Sequence, residues 1–389
     1  MLCSYCCSCP HLVSHHHFAN TAADGKYCLT GASDRTVRLW NPTRIDPAYG
    51  YHLSSSKRDN MSQSSSLPSA LPMQTYSDGH IHPIYCLATN RPSTTLLSAS
   101  DKTLLATDLL TAQNKQKWWG HVGRIEYVTC LGGTNTDDTD NNNSSGGGGN
   151  VVGEEIYASA SYDSSVRLWD ARSRSKDPLM TLEDATDAVT CVTQSPSSYH
   201  SQIITSSVDG KIRTYDLRYS RMMAEDIVHP ITSFAVTNDG MSSMMAVSCL
   251  DGIIRVLDRS IITANAAATT GIRKRVYQKF HSYHTCNKYK VECAFTSSDE
   301  YLVTGSECGA VVIYPVEVNS NNQHYSTRPE RNNTKPSPKG RVLRRHQGPT
   351  CSVAACPQSA RPWLIVSASY DGTAVVWASE AQHDCCLVE

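Results

Sequence analysis

The chain of 389 residues carries 35 lysine and arginine residues against 36 aspartate and glutamate residues, so its net charge is close to zero. This balance argues against bulk electrostatic binding to nucleic acid or to an anionic membrane, although local basic runs remain possible. No run of about 18 apolar residues is present, so no membrane-spanning helix is predicted.

The N-terminal segment, MLCSYCCSCPHLVSHHH, places cysteines at positions 3, 6, 7 and 9 before three adjacent histidines. A zinc site usually has a Cys-x2-Cys pair at each end of a loop, and the second pair is missing here. We therefore predict no metal site and no cofactor. The segment has no charged n-region and no long apolar h-region, so no secretory signal is expected. Ten further cysteines, from Cys28 to Cys356, stand singly, as in a reducing compartment.

One short pattern returns seven times along the chain. Each copy has small residues, a turn that is led by aspartate (Cys308 in the sixth copy), and an alternating apolar run. Small polar residues with Asp and Gly favour turns, and alternation favours strands, so each copy is predicted to be a β-hairpin. In chain order the copies are TGASDRTVRLWN (from Thr30), LSASDKTLLATD (from Leu97), SASYDSSVRLWD (from Ser159), TSSVDGKIRTYD (from Thr205), VSCLDGIIRVLD (from Val247), TGSECGAVVIYP (from Thr304) and SASYDGTAVVWA (from Ser367).

The spacing of these copies indicates how the hairpins are organised. The turn positions are residues 34, 101, 163, 209, 251, 308 and 371. Two of the spacings, 46 and 42 residues, match the ~40–45 residues of a four-stranded propeller blade. The longer spacings contain Ser/Asn/Gly-rich insertions at about 50–72, 131–150, 260–275 and 319–340, which bury too little apolar surface to become ordered. We predict one all-β domain over residues 1–389, a seven-bladed β-propeller with disordered insertions.

The copies resemble the repeats of the WD-repeat family of β-propellers. In that family, a loop histidine bonds the turn aspartate and a strand serine or threonine, and this hydroxyl bonds a tryptophan indole. The resemblance assigns these structural roles to His121, Ser159, Asp163 and Trp169 in the third copy, to His346, Ser367, Asp371 and Trp377 in the seventh, and to Thr30, Asp34 and Trp40 in the first.

Serine, histidine and aspartate in one unit also suggest a hydrolase triad. The set decays along the chain, however: the second copy keeps His80 and Asp101 but has Leu97 and Thr107 at the serine and tryptophan places. A hairpin that also packs through apolar contacts tolerates a partial network, whereas a catalytic device does not. We therefore interpret the set as structural and predict no catalytic residue and no enzyme activity.

A closer resemblance is carried by GKYCLTGASDRTVRLWNP, SSVRLWDARSRSKDPLMTLEDATDAVTCV, SVDGKIRTYDLR and HTCNKYKVECAF. These stretches are similar to segments of the mitogen-activated protein kinase organizer family, which are small WD-repeat scaffold proteins. The resemblance covers most of the chain from about Gly25 to Trp377 outside the insertions. It implies a non-enzymatic scaffold that gathers spliceosomal or kinase-cascade proteins. Such a scaffold would be found in the cytoplasm and nucleus, as a monomer within larger complexes. It implies no small-molecule substrate, no membrane partner and only indirect contact with RNA.

The resemblance also implies that partners bind the propeller face that carries the hairpin turns. The residue before each turn position is expected to point outward there, and residues of the loops that lead into the blades would join it. For the two tyrosines of this set, a purely structural role as caps of their turns stays open. The candidates are Tyr162, Val208, Leu250, Glu307, Tyr370, Arg124 and His284.

An alternative function rests on WDAR and YDLR, which place Arg172 and Arg218 in a pattern like the W-D-x-R of propellers that dock on cullin-RING ubiquitin ligases. In that case the chain would be a substrate receptor, although an arginine at this place is also an ordinary surface residue of propellers. Two basic runs, GIRKRVYQK and RPERNNTKPSPKGRVLRR, suit either solvated loops or an acidic or RNA partner. No aromatic residues interleave the second run, so base recognition is not predicted.

Overall fold

The computed structural model describes residues 2–8, 18–21, 27–41, 71–90, 92–132, 156–195, 202–237, 244–259, 276–316, 339–356 and 364–379. Every regular element in these ranges is a β-strand, which confirms the predicted all-β class. None of the described residues forms a helix that could cross a bilayer. The predicted insertions at about 50–72, 131–150, 260–275 and 319–340 lie almost wholly outside the described residues.

The strands of the described part form seven four-stranded antiparallel sheets, one for each blade of the predicted propeller. Blade 1 consists of β2 (Phe18–Thr21), β3 (Cys28–Gly31), β4 (Val37–Trp40) and β5 (Gln74–Tyr76). Blade 2 consists of β6 (Cys86–Thr89), β7 (Thr95–Ala99), β8 (Thr103–Asp108) and β9 (Asn114–Trp119). Blade 3 consists of β10 (Ile125–Leu131), β11 (Ile156–Ser161), β12 (Val166–Asp170) and β13 (Met180–Leu182).

The remaining blades follow in chain order, and the last one takes its outer strand from the N-terminus. Blade 4 consists of β14 (Val189–Gln194), β15 (Gln202–Ser207), β16 (Lys211–Asp216) and β17 (Arg221–Asp226). Blade 5 consists of β18 (Ile231–Val236), β19 (Met244–Cys249), β20 (Ile254–Asp258) and β21 (Val276–Phe280). Blade 6 consists of β22 (Cys293–Phe295), β23 (Tyr301–Thr304), β24 (Ala310–Pro315) and β25 (Arg341–Arg344). Blade 7 consists of β26 (Thr350–Ala355), β27 (Ile365–Ser369), β28 (Thr373–Ser379) and β1 (Leu2–Ser8).

The predicted hairpins form where the repeated motif lies, and in five blades the turn aspartate bonds the chain that follows it. The Asp163 carboxylate accepts the backbone N–H of Ser165 at 3.0 Å, and the other turn aspartates of blades 1, 4, 5 and 7 do the same two residues on. In blades 1 and 3 to 7, the residue after the turn position takes a left-handed φ. It is glycine in blades 4 to 7 and Arg35 or Ser164 in blades 1 and 3, with φ of 71° and 65°.

The ring closes through its two chain ends. β1 pairs antiparallel with β28 over its whole length, from Leu2 opposite Ser379 to Ser8 opposite Thr373. The innermost strands β2, β6, β10, β14, β18, β22 and β26 contact one another in that order, and β26 contacts β2 again. The N-terminal segment that contains Cys3, Cys6 and Cys7 is therefore a closing strand.

The hydrophobic core lies between neighbouring blades. Trp118 of blade 2 meets Trp169 of blade 3 with ring centres 6.2 Å apart, and Tyr157 packs edge-on against Trp118. Phe280 of blade 5 stacks on Tyr314 of blade 6 at 4.6 Å. Because these contacts join blades, each side chain that they bury stabilises the ring as a whole, by roughly 1.5–3 kcal/mol for a large apolar residue.

Candidate protein-binding face

The four side chains assigned to the third repeat meet in one network at the turn end of blade 3. The Nδ1 atom of His121 lies 2.9 Å from Asp163 Oδ2, and its Nε2 atom lies 2.8 Å from Ser159 Oγ. The indole N–H of Trp169 donates to the same hydroxyl at 2.8 Å. Since an ionised carboxylate only accepts, His121 carries its proton on Nδ1 and the Ser159 hydroxyl donates to Nε2.

The electrostatics of this network suit a fixed structural role. Burial acts to raise the pKa of Asp163, but hydrogen bonds from His121 and Ser165 outweigh it and hold that pKa far below its ordinary value. Burial lowers the pKa of His121, against the pull of Asp163. Neutral imidazole and ionised carboxylate are thus the stable pair at neutral pH. Ser159 is 0% exposed, so its hydroxyl is closed to any substrate.

Blade 7 repeats the arrangement with a looser histidine–aspartate contact. His346 Nε2 lies 2.7 Å from Ser367 Oγ, and Trp377 Nε1 donates to that hydroxyl at 2.8 Å. His346 Nδ1 lies 3.5 Å from the Asp371 carboxylate and 2.9 Å from the Thr373 hydroxyl. Burial acts to raise the pKa of Asp371, yet its hydrogen bonds keep that pKa low.

In blades 1, 4 and 5, the turn aspartate binds an arginine four residues later. The Arg213 guanidinium donates to Asp209 Oδ2 at 2.6 Å, and both side chains are buried. Blade 5 has the same pair, Arg255 and Asp251, and Arg38 donates to Asp34 at 2.7 Å in blade 1. Blade 1 also keeps the indole contact, since Trp40 Nε1 donates to Thr30 Oγ1 at 2.8 Å. The spacing D-x-x-x-R is common to these pairs, but blade 3 has it too, at Asp163 and Arg167, where the aspartate contacts His121 instead.

The serine of blade 2 is Ser98, and the expectation that Leu97 occupies this place is wrong. His80 Nε2 lies 2.6 Å from Ser98 Oγ. The strand pairing of blade 3 places Tyr157 opposite Trp169, and the corresponding pair in blade 2 is Leu96 and Thr107. The members of the blade 2 pair are one residue closer in sequence, so the turn between them is one residue shorter. His80 Nδ1 has no hydrogen-bond partner among the described residues, so this histidine does not bond the turn aspartate.

Two of the residues predicted to bind a partner instead form hydrogen bonds within this chain. His284 is 4% exposed and its Nδ1 lies 3.0 Å from the carbonyl oxygen of Gly305, so it is unavailable to a partner and is removed from the set. Glu307 is half-buried, and its carboxylate accepts the backbone N–H groups of residues 287–289 at 2.6, 2.6 and 2.9 Å. It therefore shapes the loop that leads into blade 6.

The other candidates lie where a partner could reach them. Tyr162 is 62% exposed, and Val208, Leu250, Tyr370 and Arg124 are half-buried. The Arg124 guanidinium lies 4.9 Å from the ring centre of Tyr85 and 5.9 Å from that of Tyr162. Stacked aromatic and arginine side chains of this kind are enriched at energetically important positions of protein interfaces. We call the face that carries these residues the turn face.

At the centre of the turn face, a lysine spans the ring. Lys290 of the loop before β22 donates through Nζ to the carbonyl oxygen of Glu126 in β10 at 2.8 Å. Because β10 and β22 are not neighbours among the innermost strands, this bond crosses the middle of the ring. Glu126 also accepts from Arg124 Nε at 2.6 Å, and a register shift in β10 between Ile125 and Tyr127 leaves Glu126 out of the ladder.

The rim of this centre is aromatic. Tyr289 and Tyr370, from blades 6 and 7, lie with ring centres 5.1 Å apart. Below them, Glu292 is bonded by the Ser352 hydroxyl at 2.6 Å, and burial raises its pKa. Tyr85, Tyr289 and the lysine bridge could not be predicted from the sequence, since only closure of the ring brings these loops together.

The two arginines of the ligase pattern lie away from this centre. Arg172 is exposed and binds Asp170 two residues before it, with its Nε 3.1 Å from Oδ1. Arg218 is exposed, and its backbone N–H donates to Asp216 at 3.0 Å. Each follows the third strand of its blade, at the opposite strand end from the hairpin turn.

The free energy of unfolding is expected to fall as the pH is lowered from about 7 to 4. Burial and the nearby Lys117 lower the pKa of His80 to about 4, whereas a free imidazole has a pKa of ~6.5. Above pH ~6.5 both states are neutral and the contribution is complete. Below it, only the unfolded state takes up the proton, so stability falls by on the order of 3 kcal/mol.

Urea unfolding across this pH range tests that expectation. His80→Asn should make the profile between pH ~6.5 and 4 less steep, leaving the part that His121 and His284 contribute, since burial lowers their pKa values too. His82→Asn, at an exposed neighbouring position, should leave the profile unchanged. A profile that His80→Asn does not alter would show that another group is responsible.

Comparison with known proteins agrees with the geometry. A family model described as "WD domain, G-beta repeat" matches residues 9–41, 71–105, 176–216 and 338–378. The chain is similar to the WD repeat domain-containing protein 83 homolog of Dictyostelium discoideum, with 24% identity over 335 residues, 79% of this chain and 85% of that protein. The WD repeat domain-containing protein 83 of Rattus norvegicus is 32% identical over 143 residues, 37% of this chain and 39% of that protein. Pre-mRNA-splicing factor cwf17 of Schizosaccharomyces pombe is 27% identical over 196 residues, 50% of this chain and 43% of that protein.

Proposed function

Since the chain is a WD-repeat protein with seven propeller blades, we propose that it is a non-enzymatic scaffold that organises multiprotein complexes. The proposal extends to complexes of pre-mRNA splicing, of mitogen-activated protein kinase signalling, or of both, in the cytoplasm and nucleus. WD-repeat propellers generally mediate protein interactions and are generally not catalytic. Fold alone does not decide function, so the proposal is argued from the turn face.

The observation that carries the proposal is the stack of Tyr162, Arg124 and Tyr85 beside the centre of the turn face. Tyr162 is 62% exposed although no fold requirement places a tyrosine before the turn aspartate. Arg124 is held in place by Glu126 and by two aromatic rings, so little side-chain entropy is lost when a partner covers it. A rigid aromatic and arginine anchor is what a protein partner can use.

The splicing part of the proposal is supported by one relative whose name refers to that process, the fission-yeast Pre-mRNA-splicing factor cwf17. The alignments with the rat and fission-yeast relatives span less than half of those proteins, so their partners come to this chain only as part of the proposal. The kinase part rests on the resemblance of the repeats to the kinase organizer family. In both cases the expected partners are proteins, with RNA reached through them.

Affinity purification of the full chain followed by mass spectrometry tests the proposal. We expect spliceosomal or kinase-cascade proteins to dominate the captured set, and Tyr162→Ala to reduce their recovery about fivefold or more. Tyr219→Ala is the matched control, because Tyr219 is 70% exposed at the strand end opposite the turn of blade 4. Capture that is equal for both variants, or a set dominated by cullin-ligase subunits, would contradict the proposal.

A further inference from the structure

A second surface lies at the outer edge of blade 2. β9 is the outermost strand of that blade, and Lys117 and Trp119 lie two residues apart on it. Trp119 is 47% exposed, in spite of its large apolar ring. The ammonium groups of Lys117 and Lys176 lie 5.4 and 5.1 Å from the centre of the indole. Cationic side chains from two blades thus lie close to one exposed tryptophan.

The loop between β12 and β13 of blade 3, which supplies Lys176, is fastened to this strand. Gln116 of β9 donates through Nε2 to the carbonyl oxygens of Ser173 and Ser175, at 2.9 and 3.1 Å. Arg174 lies between these two anchored residues and is exposed. The loop therefore lies against the outer strand of blade 2, where Lys176 contacts Trp119 and Arg174 is exposed between the two anchored residues.

The cations of the patch exceed their acidic partners. Lys115 pairs with Asp108 at 3.1 Å, and Arg172 pairs with Asp170 at 3.1 Å. Lys117, Arg174 and Lys176 pair with no carboxylate in the part of the chain that the structure describes. Lys117 also donates to the carbonyl oxygen of Gly79 at 2.7 Å, and Asp177 follows Lys176 in the loop, so the patch keeps a small local excess of positive charge.

We propose that the patch of Lys117, Trp119, Arg174 and Lys176 is a docking site for an acidic segment of a partner protein. The exposed indole gives an apolar anchor. The two ammonium groups beside it, with Arg174 exposed in the adjoining loop, complement aspartate and glutamate side chains that flank an apolar residue. A nucleic acid fits the patch less well. Successive bases stack on a series of aromatic side chains, whereas Trp119 is the one aromatic residue of this patch.

The patch gives the proposed scaffold a second place to bind, distant from the innermost strands that form the centre of the turn face. One partner on the turn face and another at the edge of blade 2 can then be held together. Only the bridging of two partners rests on the proposed function. Binding of an acidic peptide to the patch is measured directly and does not depend on the capture of any complex.

Fluorescence anisotropy with the full-length protein tests the proposal. The probe is a short fluorescent peptide of alternating glutamate and leucine residues, and a lysine–leucine peptide and single-stranded oligouridine are the comparisons. We expect the acidic peptide to bind, and its affinity to fall as salt is added. The double variant Lys117→Glu with Lys176→Glu should bind the acidic peptide about tenfold or more weakly than the native chain, and Trp119→Ala about fivefold more weakly.

The matched control is Lys279→Glu with Lys339→Glu, which makes the same change of charge at exposed positions in blade 5 and before β25. This control should keep the native affinity, and circular dichroism should show all variants folded. The proposal is overturned if the acidic peptide does not bind, if both double variants lose affinity equally, or if oligouridine binds the patch more tightly than the peptide.

Discussion

Replacing Arg213 with Met is expected to lower the free energy of unfolding by about 3 kcal/mol. Arg213 and Asp209 have side chains that are only 3% and 7% exposed, and they lie 2.6 Å apart in blade 4. Without the guanidinium, the Asp209 carboxylate stays buried with no opposite charge. Its hydrogen bonds from Ser207, Thr186 and the backbone of Lys211 remain, which keeps the loss below that of a wholly isolated ion.

Urea unfolding of three variants separates the lost pair from lost packing. Arg38→Met removes the corresponding arginine of blade 1, where the side chains of Arg38 and Asp34 are 18% and 27% exposed. Because that pair is less buried, its loss should cost only about 1 kcal/mol. Asp209→Asn with Arg213→Met removes both charges and should recover part of the lost stability. Equal losses in blades 1 and 4, or no recovery in the double variant, would contradict a charge-pair origin.

Replacing Ser159 with Ala is expected to cost about 2 kcal/mol of folding stability, because it leaves two buried groups without a partner. The hydroxyl of Ser159 serves His121 Nε2 and Trp169 Nε1, both at 2.8 Å. Its loss removes both bonds without creating a large cavity. Ser367→Ala should cost a similar amount in blade 7, where Trp377 and His346 bond the same hydroxyl.

Thermal unfolding monitored by tryptophan fluorescence provides the comparison. Ser164→Ala is the matched control, since it removes a hydroxyl from the same turn outside the network, and it should change stability by less than about 0.5 kcal/mol. Because Ser159 and Ser367 lie in different blades, their losses should add in the double variant. A loss in Ser159→Ala no larger than in Ser164→Ala would mean that the network does not stabilise the blade.

The blades could be predicted because their signals are local. A turn aspartate followed by an alternating run, as in SASYDSSVRLWD, determines a hairpin by itself, and seven such runs lead to seven sheets. The same local logic places Ser159, His121 and Trp169 together, since all three belong to one repeat. The error at Leu97 has a local cause too: the turn of blade 2 is one residue shorter, so a count from the aspartate misses Ser98.

What could not be predicted depends on closure of the ring. The bond from Lys290 to Glu126 joins residues that are 164 apart in sequence, and nothing in either stretch indicates the other. His284 was expected at the surface because a loop residue usually is, yet Thr304 and Gly305 enclose it. The arginine partners of Asp34, Asp209 and Asp251 follow at a spacing that blade 3 also has, although Asp163 contacts His121 there, so the spacing alone does not identify the partner.

The repeated Ser-His-Asp set is part of the architecture, and we propose that partners bind the outward residues of the turn face. Partner capture by Ser159→Ala and Tyr162→Ala, at a temperature at which both variants are folded, tests this most directly. We predict that Ser159→Ala captures the same proteins as the native chain although its unfolding midpoint is lower, and that Tyr162→Ala keeps its midpoint but loses capture. The opposite result, in which Ser159→Ala abolishes function while Tyr162→Ala does not, would contradict the claim.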